Sequence, residues 1–545
     1  MKLAPWVFLA AAGAGGSFLT ADTYPRQAGV DAQHYVFRIA LHDDSDEISG
    51  EATADLLFTR DGVTEFSLDL ASAANGGGMT VTKVTGSGGE ALPFTHRANR
   101  LVVQLAAPSK AGERGQFTVS YHGTPAILRP PAGLVISPDK YKERTFFSLN
   151  WPDRAREWLP IIDHPYDKAT SEFLVTAPAR YSVVANGLLQ EETDLGDGRR
   201  LTHWKQSVPI ASWLNAIGVD QFATHFAGTV RGVPLQTWVH HQDRENGVAG
   251  FEEPARKALE FYIDRIGPYP YEKLANVEAP GLSGATEYAS AVFYGETSMP
   301  NRAASSLVAH EVAHQWFGDS VTEKDWDDAW LSEGFATYFA LLFTEHYEGR
   351  DAFVAGLKRA RDTVFRAEKQ FPNDAVIHDN LADPNQAVNQ LVSQKGAWAL
   401  HMLRGQLGTE RFWTGIREYY RRFRDANAST EDFRKVMEGV AGADLGWFFT
   451  QWLRRPGSPV VDGTWRYNPA TKKVELSLAQ TQGGDAYRLP MEVSLAPAGA
   501  GPAKLDRIEM SDRQQRFDLV AAEEPASVTL DPNSWLLMDA RLVKK

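Results

Sequence analysis

The segment His310-Glu311-Val312-Ala313-His314, followed by Trp330-Leu331-Ser332-Glu333-Gly334-Phe335-Ala336, limits what this chain can build more than any other part of it. Residues four apart on a helix share a face, so His310 and His314 present two imidazoles to one point. Leu307, Val308 and Ala309 lead into the motif, and no Pro or Gly interrupts residues 303–317, which predicts a helix there. Glu333 is surrounded in sequence by Trp330, Leu331, Phe335, Ala336, Tyr338 and Phe339, and a carboxylate in apolar surroundings needs a partner. A buried ion pair would serve, and a metal is the stronger candidate. Two imidazoles and one carboxylate form a catalytic zinc set that leaves a fourth position open, and Glu311 reaches that position from beside His310. The expectation is one Zn2+ held by His310, His314 and Glu333, with Glu311 acting as base on a water. The plainer reading, two surface histidines and a solvated glutamate on a helix, leaves Glu333 unexplained.

The chain has 545 residues, which predicts about three domains rather than one core. A net charge of −13 argues against nucleic acid and anionic membrane surfaces as partners. The absence of cysteine excludes thiolate metal sites, a cysteine nucleophile and disulfides. Lys2, the apolar stretch Leu3 to Ala12 and the small residues Ala12-Gly13-Ala14 resemble a secretory signal over residues 1–21, with Ala21 a second cleavage candidate. An uncleaved anchor is the alternative. An exported protein is expected, periplasmic or extracellular. No other apolar run approaches a membrane span, so no integral span is expected in the mature chain.

Residues 22–212 read as a β domain. Phe117, Val119 and Tyr121 alternate with Gln116, Thr118 and Ser120, and turn clusters recur at residues 75–78 and 86–89. Residues 213–456 change period. Ala255, Ala258, Leu259, Tyr262, Ile263 and Ile266 have helical spacing, with Pro254 expected in the first turn and Gly267-Pro268 as the stop. The chain reads as mostly helical from 302 to 453, with a helix start at Ser429-Thr430-Glu431-Asp432. After Arg455-Pro456-Gly457-Ser458-Pro459, period-2 alternation returns at Val474, Leu476 and Leu478 and at Met491, Val493 and Leu495, so residues 457–545 are expected to form a small β-sandwich.

These residues resemble the aminopeptidase N family, gluzincin zinc metallopeptidases that include the leukotriene hydrolase. The resemblance is carried by His310 through Asp319 and Trp330 through Ala336. It extends to Trp151 through Arg156, Asp163-His164-Pro165 with Lys168-Ala169, Gly284-Ala285-Thr286-Glu287-Tyr288 and Lys395-Gly396-Ala397. It implies a multidomain α+β fold with a β-saddle N-terminal domain, a thermolysin-like, mostly α catalytic domain and a C-terminal β-sandwich. It implies peptide substrates with a free N-terminus. Glu287 would hold the α-ammonium, and Gly284 and Ala285 would form a strand that pairs with an extended peptide.

Three positions depart from the family. Ser393 stands where the family has the tyrosine whose hydroxyl steadies the oxyanion, and a serine hydroxyl falls roughly 4 Å short of that place. Loss of one such donor typically lowers turnover about 10²- to 10³-fold. Tyr288 replaces the usual Asn; its hydroxyl is a candidate substitute donor, but neighbours on a strand point to opposite faces. Trp151 replaces a Gln or Glu that helps bind the ammonium, and either reshapes the first pocket or simply packs. The leading expectation is a zinc aminopeptidase, impaired by Ser393. The alternatives are a zinc-bearing peptide-binding pseudoenzyme, or a hydrolase of another small amine or epoxide. A thermolysin-type endopeptidase is disfavoured by Glu287.

Overall fold

Strands dominate the first part of the chain because apolar residues there recur at every second position. The computed structural model describes residues 22–298 and 304–545, so the expected signal segment 1–21 lies outside the described residues. Strand Glu113–Thr124 buries Phe117, Val119 and Tyr121 on one face and pairs antiparallel with Ile48–Phe58 and Gly78–Thr85. These belong to a seven-stranded sheet, joined by four-stranded and three-stranded sheets over one hydrophobic core.

A five-stranded sheet follows, absent from the sequence-based expectation. Its order is Phe222–Val230, Val233–His240, Leu274–Ala279, Ala291–Gly295 and Ala285–Thr286. Both faces of its centre are covered. Trp238, Val277 and Phe293 join the core of the N-terminal domain, whereas Val239, Val292 and Tyr294 join the core beneath the helices. Strands buried on both sides have no polar alternation, and period-2 patterning cannot reveal them.

Helix α1 (Arg244–Arg265) starts well before Pro254, which lies inside it and not in its first turn. The reason is its buried face. Gly247, Phe251, Ala255, Ala258 and Tyr262 keep helical spacing straight through the proline, and their burial outweighs the roughly 3 kcal/mol that an interior proline costs. Helix α2 (Ala304–His314) carries the histidine motif and ends at its second histidine. Helix α3 (Trp330–Glu348) carries Glu333 and is apolar nearly all round, as a central helix must be. The start expected at Ser429 is a capping box: its hydroxyl accepts from Asp432 N, and the Asp432 carboxylate accepts from Ser429 N. Beyond the linker, strands from Val460 onward form a four-stranded and a three-stranded sheet whose apolar faces meet, which gives the expected sandwich. The whole is a mixed α+β architecture: N-terminal sheets, a helical middle built on a sheet, and C-terminal sheets. Among the described residues no helix is long and apolar enough to cross a membrane.

Two glycines set the distance between α3 and the helix Gly396–Leu407. A Cβ on Gly334 would lie 3.1 Å from the Gly396 backbone, closer than packed side chains sit. Gly334→Ala therefore trades about 1 kcal/mol of helix propensity against an overpacking cost of about 1–3 kcal/mol. Gly439, exposed in helix Thr430–Ala441, has open space where its Cβ would be. Denaturant unfolding should show Gly439→Ala stabilised by about 0.5–1 kcal/mol and Gly334→Ala destabilised by about 1 kcal/mol. Equal stabilisation of both would contradict this account of the helix contact.

Candidate metal centre

The i, i+4 spacing on α2 and the first turn of α3 bring three ligand atoms together. His310 Nε2 and His314 Nε2 lie 3.1 Å apart. Glu333 Oε2 is 3.8 Å from His310 Nε2, and Glu333 Oε1 is 4.0 Å from His314 Nε2. Two imidazole lone pairs that close repel unless a cation or a proton lies between them. Burial, with the neighbouring ring, holds the His310 pKa well below the ordinary value, so the proton is disfavoured. His314 is shifted down for the same reason, burial. Its Nδ1 faces Ser332 Oγ at 3.0 Å and the Phe317 carbonyl at 3.3 Å, which turns Nε2 toward Glu333. The donor set, two neutral imidazoles and a carboxylate around one point, fits zinc.

Negative charge crowds the same place. Glu311 and Glu287 are buried, and one ligand atom from each lies with one from His314 inside a 4.8 Å cluster. Burial pushes the Glu311 carboxyl well up, and the charges of Glu287 and Glu333 add to it. Burial raises Glu287 as well. Carboxylates packed this closely call for a positive partner, a metal ion or a ligand ammonium.

Gln315, to which no local sequence pattern assigns a role, locks these parts to each other. Its amide donates to the Glu287 carbonyl at 2.9 Å and to Asp319 Oδ2 at 2.8 Å, and its Oε1 accepts from Ser290 N at 2.8 Å. The residue after His314 thereby fixes the loop that carries Glu287; its position immediately after the motif was the available signal. Ser332 was also missed, although it directly precedes Glu333. Gly284 has φ +88°, a conformation that favours glycine, and its carbonyl accepts from Gly295 N at 2.8 Å. Ala285–Thr286 pairs with Ala291–Gly295 and forms the outer edge of the sheet. An edge strand offers unpaired N–H and C=O groups to an extended chain.

Two residues named as substrate-binding candidates make other contacts. The Tyr288 side chain is buried facing the N-terminal domain; its hydroxyl accepts from Asn150 N at 2.9 Å and donates to the Ser148 carbonyl at 3.1 Å. With both capacities spent, it cannot replace a missing donor. The half-buried Trp151 indole packs edge-on against Trp213 and Trp326, with centroids 4.6 and 4.9 Å away, so packing is the role the structure displays. Ser393 lies in a π-helical turn, Leu391–Lys395, and its hydroxyl donates to Glu333 Oε2 at 3.2 Å. Ser393 therefore braces the carboxylate of a candidate metal ligand.

Comparisons with known proteins show the family to which the chain belongs. The family model for the Peptidase M1 N-terminal domain matches residues 31–214, and that for the Peptidase family M1 domain matches residues 252–452. Glutamyl aminopeptidase of Sus scrofa is 29% identical over 335 residues, covering 57% of this chain and 34% of that protein. Probable aminopeptidase 1 of Saccharolobus solfataricus is 27% identical over 327 residues, covering 56% and 41%. The chain thus spans about a third of the length of the glutamyl aminopeptidases it matches. The solved M1 zinc metallopeptidase of Deinococcus radiodurans superposes with a TM-score of 0.67 at 27% identity, covering 78% of this chain and 94% of that one. With both family domains in order and the histidine–glutamate ligand set between α2 and α3, this chain belongs to peptidase family M1, the aminopeptidase N type of zinc metallopeptidase.

Proposed function

We propose that the protein is a zinc aminopeptidase that removes N-terminal residues from peptides, with turnover held low by Ser393. One observation carries this reading: a buried carboxylate, Glu287, stands beside the base Glu311 and the ligand His314 at the end of a free sheet edge. An internal peptide bond has no ammonium to neutralise Glu287, whereas a chain terminus does.

His310, His314 and Glu333 would hold one zinc ion, which supplies Lewis acidity to a water and to the scissile carbonyl. Glu311 takes the proton from that water as it adds to the carbonyl and returns it to the leaving amine. Glu287 pairs with the α-ammonium, and the Ala285–Thr286 edge holds the substrate backbone extended. Ser332 and Ser393 keep His314 and Glu333 in position through their hydroxyls. No tyrosine stands at position 393 to steady the developing oxyanion. The same substitution supports a second reading, a zinc-bearing protein that binds peptide termini without efficient cleavage.

Assays with an aminoacyl anilide panel separate these readings. Ser393→Tyr should raise kcat by about 10²-fold, the usual worth of one oxyanion donor. No hydrolysis by either the native chain or Ser393→Tyr would sink the peptidase reading. Glu287→Ala should raise KM on the order of 10²-fold, since it strands an ammonium in a buried site; an unchanged KM would remove Glu287 from substrate binding. Glu311→Ala should lower kcat by about 10²- to 10⁴-fold while zinc content stays the same. Activity that survives it would overturn the assignment of the base.

A further inference from the structure

A second group of buried ligand atoms lies where the N-terminal domain meets the five-stranded sheet. Asp139 sits in the turn between strands Gly133–Pro138 and Arg144–Leu149, Asp220 ends strand Ile217–Asp220, and His240 ends strand Val233–His240. One ligand atom from each falls within 4.8 Å of the others. All three side chains are almost completely shielded from solvent. His240 Nδ1 is 2.5 Å from Asp220 Oδ2 and 3.7 Å from Asp139 Oδ2.

Asp139 Oδ2 has no hydrogen-bond partner. The other oxygen, Oδ1, accepts from Tyr141 N and Glu143 N, both at 2.8 Å, and these bonds fix the carboxylate with Oδ2 aimed at His240. An unpartnered buried carboxylate oxygen is costly. Negative charge is also in excess. Glu278, Glu296 and Asp243 stand close by, and Lys140 is the cation that pairs with Glu278 at 2.8 Å and Asp243 at 2.6 Å. Burial pushes Glu278 up to about 7; even with Glu278 neutral and His240 protonated, two positive charges face four carboxylates, and Asp139 Oδ2 still has no donor.

We propose that Asp139, Asp220 and His240 form a second metal site, specific for a divalent transition ion, that fastens the N-terminal domain to the catalytic sheet. One imidazole nitrogen and two carboxylates suit ions of the zinc or manganese kind, whereas calcium prefers six or more oxygens. An ion bound through Nδ1 takes the place of the proton that Nδ1 shares with Asp220 Oδ2, and it leaves Nε2, which has no hydrogen-bond partner, 3.2 Å from Glu296 Oε1. Glu278 Oε2 accepts from His240 N at 3.1 Å and holds the backbone. The ion would supply Asp139 with its missing partner and offset the excess charge. The site is separate from the histidine motif on α2 and does not depend on the peptidase reading.

The test is a metal count on the full-length chain, stripped with chelator and dialysed against Zn2+ or Mn2+, read by mass spectrometry. The native chain should bind two ions, Asp139→Asn one, Glu333→Ala one, and the double variant none. Metal should raise the melting midpoint of Glu333→Ala and leave that of the double variant unmoved. A count that Asp139→Asn does not reduce overturns the proposal, whatever the number of ions in the native chain. Should Asp139→Asn fail to fold, anomalous diffraction from zinc-soaked crystals of the native chain decides. A peak between Asp139, Asp220 and His240 supports the site, and its absence there overturns it.

Discussion

The structure turns on a shortage of positive charge at one buried place. Glu287, Glu311 and Glu333 converge on His310 and His314, burial shifts every one of these groups toward its neutral form, and the two Nε2 atoms lie 3.1 Å apart. Among the described residues no lysine or arginine side chain pairs with any of the three carboxylates. A zinc ion and a substrate ammonium would each answer part of it. The fold thus holds open two cationic positions side by side, which is the basis of reading it as an enzyme for chain termini.

Several contacts keep those positions at fixed distance. Gln315 ties the Glu287 loop to α2, and Gly334 lets α3 approach the helix that begins at Gly396. That helix follows the π-helical turn of Ser393. π-Turns recur at functional sites because they redirect one side chain within an otherwise regular helix. Here the redirected group is short and is bonded to Glu333. Lys395, buried in the same turn, donates to Glu368 at 3.0 Å and to the Gly457 carbonyl at 2.6 Å. The linker into the C-terminal sandwich therefore braces the turn that faces the metal ligands, which gives that domain a part in the geometry of the site.

Much of this was legible in the residues themselves. The ligand set follows from i, i+4 spacing and from a carboxylate embedded in an apolar helix, both local properties. The outer β regions were readable because one polar face leaves a period-2 trace, as at Phe117, Val119 and Tyr121. The five-stranded sheet was not, since Leu274–Ala279 and Ala291–Gly295 are buried throughout and carry no alternation. The start of α1 was misplaced because proline reads as a boundary locally, while the burial of Gly247 and Phe251 that overrides it is a tertiary effect. Tyr288 and Trp151 were assigned to the site from their neighbours in sequence. Tyr288 turns into the N-terminal core, the direction that strand alternation implies, and the half-buried Trp151 packs edge-on against two other indoles, one of the two roles weighed for it. The bond from Ser393 to Glu333 depends on helices distant in sequence, and no local pattern announces it.

The central claim is that the buried carboxylate of Glu287 reads the charge of a free amino terminus. The most direct measurement compares hydrolysis of one short peptide with its N-acetylated counterpart by the zinc-loaded protein. The account predicts cleavage of the first bond in the free peptide and none in the blocked one. Equal rates on both peptides, or cleavage of the blocked peptide at internal bonds, would contradict it.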